Sequence, residues 1–242
     1  MIIDVLTLFP EMIQGVINAS IIKRIIDKEL VTIRVHDFRT FSLNKHKKVD
    51  DTVYGGGAGM LLTLQPIVDC LKSIDGYNKA HKIITTPAGN IYNQHKAQEF
   101  SKKDHLIVIC GHYEGFDERL LNYVDEEISI GEYVLTGGEI AALAIIDSVS
   151  RLVPGGINDS SIMEESYSDG LLEYPQYTKP AIYDGYEVPE VLLSGNHQRI
   201  AEYKRYTSLK KTYIKRPDLI DEAKLSKEDI KMLKLIKEEI NK

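Results

Sequence analysis

Residues 105–139 read HLIVICGHYEGFDERLLNYVDEEISIGEYVLTGGE, and this stretch decides the fold class. Positions 106–110 (LIVIC) form a short apolar, β-branched run of the kind that makes a buried strand. The run stops at Gly111, and a loop follows with an acid at Glu114 and a cluster at Asp117, Glu118 and Arg119. A second β-rich run over 128–135 ends in Thr136-Gly137-Gly138 and leads straight into an apolar helix. In α/β folds, ligands sit outside the carboxyl ends of strands, where such loops emerge. Two glycine-punctuated loops this close together fit a pocket whose backbone groups face a ligand. They equally fit tight turns within an α/β core, and the local pattern does not separate the two.

Outward from this stretch, strands and helices alternate. The pattern predicts strands over 1–9, 31–38 and 82–86, and helices over 10–28, 65–74, 93–102 and 139–152. Pro10 suits a first helical position. Alternation of this kind specifies an α/β domain with a largely parallel sheet. After Val153-Pro154-Gly155-Gly156 the character changes. Residues 158–169 are small, polar and acidic, as in a linker. Beyond Tyr186 the chain reads as charged helices over 197–209, 217–219 and 226–239, the last opened by a capping signal at Ser226 and Asp229. The partition is a first domain over 1–157, a linker over 158–171 and a helical domain over 172–242.

The chain has 242 residues and a net charge of −6. Residues 1–171 hold 16 Lys+Arg against 24 Asp+Glu, whereas residues 172–242 hold 14 against 12. Between Gly195 and Arg216 lie seven basic residues, one acid and three tyrosines (Tyr203, Tyr206 and Tyr213). Such a patch fits a nucleic-acid contact, with lysines on phosphates and tyrosines for stacking. An amphipathic helix with packed tyrosines and solvated lysines would show the same composition. There is no apolar run of membrane-spanning length and no secretory pattern, and the two cysteines, Cys70 and Cys110, form no CxxC pair. A cytoplasmic protein with reduced thiols is expected.

Several chemistries are disfavoured. The run Gly55 to Gly59 lacks the Gly-Lys-Ser/Thr of a phosphate loop and the setting of a dinucleotide fold. No HExxH motif, zinc-spaced Cys/His pairs or aspartate-rich calcium loop occurs. No GxSxG elbow is present either. The basic residues Lys45, Lys47 and Lys48 would suit an anion, although such a run is more often a solvated face.

Seven motifs in order, VDDTVYGGGAGM, CGHYEGFDER, SIGEYVLTGGE, SVSRLVPG, DGLLEYPQYTKP, VPEVLLSGNH and KRPDLI, resemble the bacterial tRNA (guanine-37-N1)-methyltransferases. The resemblance covers the chain from LFPEM to RPDLI. It implies a knotted SPOUT-type methyltransferase domain with a mostly parallel sheet, plus a smaller helical C-terminal domain. It further implies a homodimer that binds S-adenosylmethionine, with tRNA carrying guanine at 37 as the partner and Mg2+ as a further requirement. Chains generally avoid threading, so periodicity alone would not point to a knot.

By the same resemblance the methyl donor sits against three loops. These match Thr86, Pro87, Ala88 and Gly89; Gly111, Tyr113 and Glu114; and Ile130, Gly131, Glu132, Tyr133, Val134 and Leu135 running on to Gly138. A sulfonium is already a good leaving group, so the harder task is removing the proton from N1 of guanine. A carboxylate within hydrogen-bond reach does this, and a guanidinium stabilises the charge that builds on O6. The family's arginine matches Arg151. Its base is an aspartate preceding a Ser-Phe pair. Here the pair is Ser166-Tyr167 and the preceding residue is Glu165, with Asp169 as the alternative base. Two milder departures are Val53 in place of a proline and His112 where several relatives carry arginine.

Overall fold

The computed structural model describes residues 1–56, 59–157, 166–167, 170–222 and 224–240. The chain separates into two compact units, Met1–Asn158 and Asp159–Lys242.

The first unit is built on five parallel strands: β1 (Ile2–Thr7), β2 (Thr32–Asp37), β5 (His81–Ile91), β6 (His105–Cys110) and β7 (Glu126–Ser129). Their order across the sheet is β2-β1-β6-β5-β7, and each neighbouring pair runs parallel. A short antiparallel hairpin, β3 (Asp50–Asp51) with β4 (Leu61–Leu62), lies outside this sheet. The helices are α1 (Pro10–Ile17), α2 (Ser20–Asp27), α3 (Leu64–Ser73), α4 (Gln94–Phe100) and α5 (Glu139–Ser150). One sheet face packs Ile3, Val5, Ile83, Leu106 and Val108 against Ile13, Ile25, Phe100 and Ile145 of these helices. The other packs Leu6, Ile84, Ile107 and Ile109 against Phe38, Ile67 and Leu71. Covering both faces explains why β6 reads as a continuous apolar run and not as an alternating one.

Three expectations about elements of the first unit need correction. The helix expected over 10–28 is two helices, broken at Asn18–Ala19, with Ser20 at φ 53°. Polar side chains there compete for backbone groups and favour a helix end. The strand expected over 128–135 ends at Ser129. Its ladder partner β5 stops at Ile91, paired with Ser129, so no strand remains to pair with the residues beyond. Val134, a strong strand former, is instead 85% exposed in a loop. The strand expected over 82–86 runs on to Ile91, with a register shift between Thr85 and Asn90. Pro87 lies inside that irregularity, where its missing N–H leaves no ladder bond unmade.

The second unit holds a small hairpin, β8 (Ile182–Tyr183) with β9 (Tyr186–Glu187), and helices α6 (Glu190–Leu193), α7 (His197–Lys215), α8 (Pro217–Glu222) and α9 (Lys227–Ile240). Its core joins Leu171, Leu209, Ile220, Leu233 and Ile236. Leu171, at the end of the expected linker, therefore packs with the helices. The capping box at the start of α9 is formed as its sequence predicts. The Ser226 hydroxyl accepts from Asp229 N at 3.1 Å, and the Asp229 carboxylate accepts from Ser226 N at 2.9 Å.

Candidate methyl-donor cleft

At the carboxyl ends of β6 and β7, beside the irregular Thr85–Pro87 stretch of β5, lies a cleft of about 830 Å³, counting the solvent at its mouth. The sheet order explains its place. The chain crosses from β2 to β5, and β6 then returns between β1 and β5, so the order reverses there. Three segments line the cleft: Thr85 to Pro87, Gly111 to Phe116, and Ile128 onward through Gly138 into Ala141.

Glycines make this convergence possible. Gly138 N donates to Gly111 O at 2.7 Å. A Cβ on Gly138 would overlap Thr85 Oγ1 and press on Gly111 N at 2.8 Å. Gly111 itself leaves only 3.1 Å to Thr85 O for a Cβ. The ends of three segments thus meet backbone to backbone, and no side chain fits between them. Tyr113, at φ 58°, occupies the left-handed region without being glycine. Such strain persists where the surroundings fix it, and it concentrates at ligand sites.

Of the residues expected to hold the donor, Thr86, Pro87, Gly111, Tyr113, Glu114, Ile130, Gly131, Tyr133, Val134, Leu135 and Gly138 line this cleft. Ala88, Gly89 and Glu132 do not. Gly89 packs against the backbone of β7, where a Cβ would stand 2.7 Å from Glu127 O. Its smallness serves strand pairing. The run Gly55 to Gly59 also acquires a purpose at its described end. Gly59, at φ 90°, lies under the Glu114 side chain, where a Cβ would collide with that side chain. Sequence reasoning did not single out Phe116 as a lining residue, and it treated His112 only as a departure. Their position between Gly111 and the Asp117 cluster was the available signal.

The Asp-Glu-Arg cluster is structural. Asp117 Oδ1 accepts from Arg119 N at 3.0 Å and caps a 3-10 helix over Glu118–Tyr123. Lys47 is likewise committed, donating to Thr40 O and Ser42 O at 3.0 Å each. The two cysteines are buried, and burial pushes the Cys70 thiol up to about 12 and the Cys110 thiol well above its ordinary value.

Arg151 follows the last residue of α5, a helix whose first turn borders the cleft. Twelve residues of helix rise separate it from Glu139, or about 18 Å. Glu165 and Asp169, the two candidate bases, lie outside the described residues.

The chain matches the family described as tRNA (Guanine-1)-methyltransferase TrmD over residues 1–222. It belongs to that family. A tRNA (guanine-N(1)-)-methyltransferase of Clostridium novyi (strain NT) is 54% identical over 238 residues, 98% of each chain. One from Geobacillus kaustophilus (strain HTA426) is 53% identical over 235 residues, 96% of each. One from Aster yellows witches'-broom phytoplasma (strain AYWB) is 50% identical over 243 residues, the full length of both. The five-stranded parallel sheet and the cleft at its carboxyl edge are therefore those of a methyltransferase of the TrmD family.

The helical unit distributes its charge differently from the sequence reading. Of the seven basic residues over 195–216, Arg205 pairs with Asp229, Lys210 with Glu239 and Arg216 with Asp218. Lys204 donates to Tyr174 Oη at 2.7 Å and lies over its ring, and Lys211 donates to Glu173 O at 3.0 Å. Only Arg199 and Lys215, both exposed, have no side-chain partner among the described residues. Much of the basic run holds the unit together, so a nucleic-acid contact there would rest on fewer charges than the sequence count indicates.

Proposed function

We propose that the chain transfers a methyl group from S-adenosylmethionine to N1 of guanine 37 in tRNA, next to the anticodon, in the cytoplasm. The observation that carries this reading is the cleft at the carboxyl ends of β6 and β7, beside Thr85–Pro87 of β5, in a chain of this family. Eleven of the fourteen positions named above for the donor line it. Backbone N–H and C=O groups of its loops read the adenine edge, and the glycines admit the donor closely.

The donor supplies an activated methyl group on sulfur. The protein's own residues then prepare the guanine. A carboxylate at Glu165, or alternatively Asp169, takes the N1 proton, and the Arg151 guanidinium stabilises the charge that builds on O6. Arg151 follows the last residue of α5, the helix whose first turn borders the cleft. In this reading the enzyme acts as a homodimer, with one subunit holding the donor while its partner's linker and helical unit bring in the tRNA. Met12, Val16, Ile21 and Ile140, all more than 40% exposed on α1, α2 and α5, would suit a covered apolar face. Among the described residues, no group of three or more His, Cys, Asp or Glu is arranged to hold a metal ion. No step is therefore routed through the magnesium that the resemblance implies.

The test is methyl incorporation into tRNA transcripts carrying guanine or adenine at 37, with the modified nucleoside identified by mass spectrometry. N1-methylguanosine from the first transcript alone is expected. Incorporation indifferent to that base, or a ribose-methylated product, overturns the reading. Single-turnover assays of Glu165→Gln and Asp169→Asn, with donor binding measured in parallel, identify the base. The variant that binds donor but transfers no methyl marks it.

A further inference from the structure

Beside the cleft, a buried carboxylate and a partly buried imidazole face each other without completing a bond. Glu139, the first residue of α5, is 1% exposed. Its Oε1 accepts from the hydroxyl of Thr7, at the end of β1, at 2.7 Å. Its Oε2 stands 3.9 Å from His112 Nδ1, and that buried nitrogen has no hydrogen-bond partner among the described residues. The imidazole is held on its other sides by the Phe9 ring at 4.8 Å and the Tyr113 ring, edge-on, at 4.9 Å. Gly137 pairs with His112 in an isolated bridge, and a Cβ on it would overlap both Glu139 Oε2 and His112 Nδ1. The approach of the two groups therefore depends on residue 137 having no side chain.

We propose that His112 is a positioning residue of the donor cleft, closing onto Glu139 when protonated and tying the loop after β6 to the start of α5. The proposal rests on the donor reading of that cleft. Histidine is the side chain whose ordinary charge change falls between pH 5 and 8. A buried carboxylate served by one hydroxyl gains most from a cation at hydrogen-bond distance, and a buried nitrogen without a partner is costly to leave so. An imidazolium satisfies both by a movement of about 1 Å, from 3.9 Å to an ordinary charge-assisted bond. That movement fixes Gly111 to Gly115 and Gly137 to Gly138, all of which line the cleft. A preorganised cleft binds its ligand more tightly, so donor affinity rises as pH falls and donor binding takes up protons. Other titratable groups nearby do not supply this switch. Cys110 is held protonated by burial and by the charge of Glu139. Tyr113 presents its ring edge to the imidazole, and the Glu114 side chain packs over Gly59.

The test is calorimetric binding of S-adenosylmethionine to the full-length protein from about pH 6 to pH 8.5, in two buffers of different ionisation enthalpy. Wild type is expected to bind about fivefold more tightly at the acid end than His112→Phe, with net proton uptake that the variant lacks. The donor's own titration is common to both proteins and cancels in their ratio. Glu139→Gln should flatten the ratio in the same way, whereas His112→Lys, a fixed cation, should bind tightly at every pH. Thermal melts of each variant separate misfolding from loss of the contact, and the lysine and glutamine variants serve if the phenylalanine variant fails to fold. A pH profile for His112→Phe or Glu139→Gln that superimposes on wild type overturns the proposal. Failure of wild type itself to bind the donor overturns the donor reading instead.

Discussion

Asp4 and Glu139 are both buried carboxylates bound to or through strand β1, yet their surroundings differ. Asp4 is 0% exposed and saturated. Arg34 donates to it through Nε at 2.7 Å and through Nη2 at 2.6 Å, and the His36 and His105 imidazoles each reach it at 2.6 Å. Burial alone would raise its pKa, but hydrogen bonds from His36, Arg34 and His105 hold it well below the ordinary carboxylate range. Glu139 has one hydroxyl and a histidine just out of reach. A saturated buried carboxylate pins strands together, whereas an under-served one beside a cleft retains an interaction that a ligand or a proton can complete.

The largest effect should come from the saturated group. Asp4→Asn removes the charge that three cationic or donating side chains share, and should cost about 3 kcal/mol in denaturant unfolding. Because the folded pKa is depressed, this stability is present above the unfolded value of about 3.9 and is lost only in strongly acidic solution. A loss for Glu139→Gln as large as for Asp4→Asn would dissolve the contrast. Next, Gly137→Ala places a methyl group between Glu139 and His112. It should cost about 2 kcal/mol in stability, weaken donor binding and remove its pH dependence. Unchanged donor affinity there would show that the pair does not shape the cleft.

The smallest effect tests an intermediate case in the helical unit. The Arg205 guanidinium holds the Asp229 carboxyl down to about 2, against burial, with the Ser226 N–H adding to it. Asp229→Asn should cost about 1 kcal/mol, since Arg205 is one-third exposed and solvent screens the pair. In wild type this contribution fades as pH falls from about 4 towards about 2, and the asparagine variant should lack that slope. A steeper loss than for Asp4→Asn would mean that hydrogen-bond saturation does not rank these sites.

Local pattern carried much of the fold. Apolar, β-branched runs located four of the five strands of the sheet and touched the end of β7, because a strand buried on both faces has few alternatives to β-branched residues. The capping box at Ser226 and Asp229 was legible because its two bonds form within four residues. The cleft was legible through its glycines and through family motifs. His112 was legible only as a departure from relatives, since a partner 27 positions away in sequence gives the local pattern no sign. The limits of β7 were not legible either. Residues 130–135 have strand propensity, but a strand needs a neighbour, and β5 ends first.

The sequence by itself determined most element types, the apolar faces, the α9 capping box and the glycine positions, because each follows from interactions within a few residues. Only the tertiary structure decided which glycines serve the cleft and which serve strand pairing, as Gly138 and Gly89 illustrate. It also decided which basic residues are already paired and which buried carboxylate is saturated. These properties depend on what approaches from distant parts of the chain, and long-range approach is set by how the sheet orders its strands.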